Sequence, residues 1–243
     1  MEGEEKREGK GHTMIRPIIT LRRKRIVIDV DTQKDFFLAK GKACIRNHRR
    51  VLANIRRVVA WTRVKNVRMI STSQIYNGAN PEKDYCIAGT EGQEKIPYTI
   101  RTKHVSFAAD GSTDLDRDIL KNYDQVILDK RCPNPFNEPR AERMLTELRA
   151  SEFILFGATI EGAIKATALG LLVRRKNVTI LVDACGCRNR SAADVALRQM
   201  EAKGAKLAEA KALLGSTCLR LVGICDCDRC QGKLQKTSFE LSA

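Results

Sequence analysis

Aromatic residues are scarce in this chain. They make up 5% of 243 residues, with a single tryptophan. A platform for stacking unpaired bases has little to be built from. Histidine is scarcer still: His12, His48 and His104 stand alone, without the spacing of metal ligands. No apolar run reaches the roughly 18 residues that a membrane span requires. The first 25 residues are charged and lack the apolar segment of a secretory signal. The expectation is a cytoplasmic protein with no membrane partner. In that compartment the nine cysteines are thiols or metal ligands rather than disulfides. No internal repeat is visible.

Charge, by contrast, is plentiful and unbalanced. The net charge is +15, from 44 Lys+Arg against 29 Asp+Glu. Residues 1–65 hold 18 basic and 7 acidic side chains, so +11 of the excess lies in that quarter. A field of this sign attracts polyanions or acidic small molecules, although charged faces are commonly just solvated.

Length and hydrophobic content (43%) suit one α/β domain with extensions. Residues 1–24 read as a charged, disordered tail, 25–209 as the domain, and 210–243 as a cysteine-rich appendage. Within the domain, RIVIDVD (25–31) reads as a buried parallel strand ending in carboxylates. Further strands are expected at 67–72, 125–130, 153–158, 178–185 and 205–209. Helices are expected at 46–64, 139–149, after 158 to about 174, and 191–203. In the first of these, Val51, Leu52, Ile55, Val58 and Val59 share one face, with the arginines largely off it. The stretch 73–122 is too long for a simple connection and reads as functional loop or lid. Strand alternating with helix predicts a three-layer, doubly wound, mostly parallel sheet of six strands. Its ligand pocket should lie beyond the carboxyl ends of the strands.

Those ends deliver Asp31 within DTQKDFF, Lys130 within DKRCPNPF, and the segment GATIEGAIKATA. A carboxylate and an ammonium meeting at one sheet edge each favour the charged state of the other. Alone, either is an ordinary loop residue.

Taken in order, these segments resemble the isochorismatase-like cysteine hydrolases, which include the nicotinamidases. Asp31-Thr32-Gln33-Lys34-Asp35-Phe36 matches the family's Asp-x-Gln-x-Asp-Phe opening. Ala88-Gly89-Thr90-Glu91-Gly92 matches its Pro-Gly-Thr-x-Gly turn, and Lys130 with Phe136 its Lys…Phe segment. Val182-Asp183-Ala184-Cys185 matches a strand end, and Ala196, Leu197, Met200 and Gly204 the late helix. The resemblance implies a six-stranded parallel sheet between helical layers and, in many members, an oligomer. It also implies thiolate attack on an amide or similar carbon, with an aspartate taking the thiol proton and a lysine assisting. Phe36 and Phe136 would then border the pocket, and Ala158, Thr159 and Gly162 would form the turn that holds an oxyanion.

One position departs decisively. Gly157, Ile164, Thr167 and Ala168 fix the frame, and the family's nucleophilic cysteine then falls on Ala163, its threonine on Ile160. A methyl group has no lone pair, and losing a nucleophile leaves only binding and the oxyanion hole. Cys132 could stand in for the missing thiol, or Glu161 could act as base on a water; their bland readings are a small hydrophobe and a helix-start carboxylate. Cys185 reads as core packing, and Cys187 as an uninformative loop residue. The nicotinamidase metal site is also absent, because Gln74 and Tyr76 stand where Asp-x-His is expected. No metal is expected in the pocket.

In the appendage, Cys218, Cys225, Cys227 and Cys230 supply four thiols within 13 residues, enough for a structural zinc. A reduced tail and a reversible disulfide are the alternatives. Three functions follow. The first is a non-hydrolytic pseudoenzyme that keeps the Asp31/Lys130 pocket and binds a small molecule or partner there. The second is an active hydrolase with an atypical nucleophile, or one whose cysteine was replaced by Ala163. The third is a basic scaffold for nucleic acid, bound through the N-terminal region. A homo-oligomer is expected in each.

Overall fold

The computed structural model describes Ile19 and residues 22–78 and 84–215. Seven parallel strands form one sheet: β1 (Arg22–Val30), β2 (Arg68–Gln74), β3 (His104–Phe107), β4 (Gln125–Lys130), β5 (Arg149–Ala158), β6 (Val178–Gly186) and β7 (Lys206–Ala208). Their order is β3-β4-β2-β1-β5-β6-β7. The chain winds outward from β1 in both directions, so the order reverses between β1 and β5. In open α/β sheets that reversal opens a crevice at the carboxyl ends of the strands.

Among the described residues six helices cover the sheet: α1 (Lys34–Phe37), α2 (His48–Val64), α3 (Pro139–Glu147), α4 (Lys165–Val173), α5 (Arg190–Ala202) and α6 (Ala210–Leu214). Strand side chains alternate between faces. Ile26, Ile28 and Val30 accordingly pack with residues of α3, α4 and α5. Val27 packs with Phe36 and Phe37 of α1, with Val51, Ile55, Val58 and Val59 of α2, and with α6. Burying each such side chain contributes roughly 1.5–3 kcal/mol. The central strands bury both faces, which is why they read as unbroken apolar runs.

The sheet has one strand more than the sequence suggested. β3, at the outer edge, lies inside the stretch read as loop, and its burial alternates weakly because one side meets solvent. β1 starts at Arg22, inside the expected tail. At the other end α6 buries Ala210 and Leu214, so the fold runs past residue 209. Among the described residues no helix is long and apolar enough to cross a membrane. Cys218, Cys225, Cys227 and Cys230, on which the zinc reading rests, lie outside the described residues.

Candidate active site

Asp31 directly follows β1, in a left-handed conformation (φ 49°), and is buried. One carboxylate oxygen accepts from the Thr72 hydroxyl at 2.6 Å, the other from Lys130 Nζ at 2.7 Å. Lys130 ends β4 and is fully buried. Its ammonium also donates to Gln74 Oε1 at 2.8 Å and to the Cys132 carbonyl at 3.2 Å. Three acceptors thus meet its three donors, as a buried charge requires. Gln74 in turn donates through Nε2 to the Lys130 carbonyl at 3.1 Å.

The residues after Asp31 hold the surrounding loops. Gln33 donates to the carbonyls of Gln74 and Gln93 (2.8 and 2.7 Å), and its Oε1 accepts the Gln74 N–H at 2.8 Å. The Asp35 carboxylate accepts the N–H groups of Lys42 (3.1 Å) and Cys86 (2.6 Å). A Cβ on Gly92 would come within 2.2 Å of that carboxylate, so glycine is needed there. The spacing of Asp31, Gln33 and Asp35 therefore ties together an ion pair, a neighbouring strand end and a distant turn.

On the other side of the crevice, β5 leaves the sheet through Gly157 (φ 128°), where a Cβ would sit 1.9 Å from the Val30 carbonyl oxygen. A cis peptide joins Ala158 to Thr159. Residues Ile160–Ile164 then form a π-helical turn, interrupted at Gly162 (φ −114°, ψ −105°), before α4 begins. The Thr159 carbonyl accepts the N–H groups of Gly162 and Ile164, both at 3.1 Å.

Between these elements is a cavity of about 440 Å³. Asp31, Gln74, Thr159, Gly162 and Ala163 line it, with an aromatic wall of Phe36, Tyr76 and Tyr85. Tyr85 packs edge-on against both other rings at 5.4 Å. Burial pushes the Tyr76 phenol well above its ordinary pKa, so it is neutral. Arg188 lines the mouth, its guanidinium 5.4 Å from the centre of the Tyr85 ring. Glu161 faces the cavity, but its Oε1 accepts the N–H groups of Arg188 and Asn189 (2.8 and 3.0 Å) ahead of α5. It anchors a loop at that helix start.

The expected site residues are therefore partly gathered. Asp31, Phe36, Thr159, Gly162 and Ala163 border one cavity, and Lys130 stands behind Asp31. Phe136 does not border it: its ring packs against Gly170 of α4, under the Arg174 guanidinium at 4.0 Å. Ala158 is buried beneath the turn, in the core. Cys132 turns its carbonyl, not its thiol, towards Lys130; the thiol bonds to the Asn134 carbonyl at 3.3 Å. Cys185 is buried at the end of β6, where desolvation raises its pKa, and Cys187 is also raised by burial. Cys86 was not foreseen. It is buried near the Asp31 and Lys130 charges, and burial pushes its thiol pKa strongly up. Tyr85, Arg188 and Asn189 were also missed; the only cue for the last two was their place just beyond a strand end.

The segment Thr72–Tyr76 offers no carboxylate or imidazole, and the Gln74 amide bonds to Lys130 through both its oxygen and its nitrogen. This donor set does not fit a metal of the nicotinamidase type. Among the described residues no three His, Cys, Asp or Glu side chains cluster as ligands.

A family model for the isochorismatase domain matches residues 25–212. The chain belongs to the isochorismatase family. Among solved structures, the pyrazinamidase of Pyrococcus horikoshii in complex with zinc is similar, at 19% identity and a TM-score of 0.60, covering 76% of this chain and 99% of that one. So is N-carbamoylsarcosine amidase from Thermoplasma acidophilum, at 17% identity and a TM-score of 0.57, covering 77% and 96%. The ribonuclease MAR1 of Caenorhabditis elegans covers 88% of each chain at 20% identity and a TM-score of 0.54. These likenesses show the shared fold. No curated protein matches the chain.

Proposed function

We propose that this protein is a non-hydrolytic member of its family, binding a small molecule in the Asp31–Lys130 cavity. One observation carries the reading. The methyl group of Ala163 lines the cavity alongside Asp31, at the position where the family resemblance calls for a thiol, and no cysteine lines it among the described residues. Asp31 retains the base position but has no thiol proton to take. Lys130 neutralises it and fixes its orientation. The pyrazinamidase and amidase relatives are named for amide substrates, so a planar amide is the first ligand to test.

The test compares the natural sequence with Ala163→Cys. The new thiol sits near the start of a helix and beside a carboxylate base, conditions that raise thiolate reactivity. Iodoacetamide at neutral pH, read by peptide mass mapping, should label position 163 at least about tenfold faster than an unperturbed thiol. Both forms should be stabilised against heat by pyrazinamide or nicotinamide, and only the variant should gain any amide hydrolysis. Ordinary reactivity at position 163 would remove it from the site. Turnover by the natural sequence would overturn the non-hydrolytic reading.

A further inference from the structure

The opposite end of the sheet has a chemistry of its own. Arg23, Lys24, Arg25, Lys65 and Arg68 line a cavity of about 430 Å³, over the buried Trp61. Among the described residues no carboxylate lines it. Two of the five cations have acidic partners outside the lining: Arg25 meets Glu152 at 2.9 Å, and Arg68 meets Asp124. Arg23 donates to the Leu120 carbonyl at 3.1 Å. Lys24 and Lys65 are exposed and have no acidic partner among the described residues.

The excess continues along the edge. In the β1–β5 register Arg22 lies beside Arg149, two exposed arginines on adjacent strands. Like charges so placed destabilise a sheet unless an anion is shared. Next in order, Lys176 precedes β6. Its ammonium donates to the Thr146 and Leu148 carbonyls (2.9 and 2.7 Å) just ahead of Arg149, and burial, with the Arg149 and Arg174 charges, lowers its pKa. Lys65 follows the carboxyl end of α2, where a helix dipole favours a cation. Arg22 and Lys24 lie at the start of β1, whereas Arg149, like Lys65, follows the carboxyl end of a helix, standing two residues past Glu147 of α3.

α2 returns from the carboxyl ends of the strands, as the connection between two parallel strands must. Its early arginines, Arg49 and Arg50, are therefore at the far end of the molecule, and they do not extend this strip.

We infer that the amino-terminal edge of the sheet, across β2, β1, β5 and β6, is a binding strip for the phosphates of a nucleic-acid strand. Adjacent strands are about 4.8 Å apart, so the strip is roughly 15 Å long, enough for three or four successive phosphates. Its linear form suits a linear polyanion, and the planar forks of its arginines match phosphate oxygens. Base stacking contributes nothing, since Trp61 is buried beneath Arg25. Binding is therefore indifferent to sequence and set by charge. It is also independent of the Ala163 cavity.

The test uses fluorescence anisotropy of a labelled oligouridylate of about 20 nucleotides with the full chain, over a range of salt concentrations. The triple variant Lys24→Glu, Lys65→Glu, Arg149→Glu should weaken binding at least about tenfold and flatten the log–log salt slope by about 2, near 0.7 per lost phosphate contact. The neutral set Lys24→Gln, Lys65→Gln, Arg149→Gln should show a smaller loss in the same direction. Arg49→Glu with Arg50→Glu, at the other end of α2, should leave the slope unchanged. Unaltered Trp61 emission and melting temperature establish that each variant is folded. Equal losses in the strip and control variants, or no salt dependence, would overturn the proposal. So would displacement of the oligouridylate by poly-glutamate as effectively, per charge, as by unlabelled RNA. Loss of RNA binding in the strip variants with amide stabilisation intact would leave the cavity reading standing by itself.

Discussion

Replacing Lys130 by methionine isolates the ion pair on which the cavity depends. Methionine keeps most of the volume and removes the charge. Asp31 would then be a buried carboxylate with the Thr72 hydroxyl as its remaining partner among the side-chain bonds described. Removing one partner of a buried pair costs about 3–5 kcal/mol, because the other charge is left uncompensated. Urea unfolding, followed by emission of the single buried Trp61, should show the midpoint falling by about 1–2 M with an unchanged slope. Asp31→Leu with Lys130→Met should recover much of the loss, because no charge is then left unpaired in the core. A Lys130→Met variant less than about 1 kcal/mol weaker than the parent would refute the buried-pair reasoning.

Two further outcomes probe the frame. Gly157→Ala demands a left-handed residue and drives a Cβ against the Val30 carbonyl; it should cost at least about 3 kcal/mol or abolish soluble expression, as seen in thermal melts. Asp129, pushed up to about 6 by burial, opposes folding progressively as pH rises from near 3.8 through that value. Asp129→Asn should flatten the stability profile across that window and gain about 1 kcal/mol at pH 8, after allowing for its partial solvent contact.

The first carboxylate and the lysine were legible because each terminates a strand whose apolar run is unmistakable. Strand ends in a parallel sheet converge on one edge. Gln74 shows the limit of that reading. As a residue type it is a poor metal ligand, and local sequence says no more. Its role as acceptor for Lys130, 56 residues away, exists only once β2 and β4 are neighbours. Phe136 fails in the opposite way: its motif suggested the cavity, but the space above Gly170 draws its ring against α4. β3 was missed because four half-exposed residues carry too short an alternation to stand out from loop.

Covalent order and local periodicity are enough to set the alternating α/β order, the residues that must turn sharply, and the alanine at position 163. Which polar groups meet is a matter of how the strands assemble. Partnership between Asp31, Lys130, Gln74 and Gln33, the aromatic wall with Arg188, and the cationic strip at the far end all come from strands adjacent in space and distant in the chain. Their energies reside in burial and pairing, which no single segment possesses.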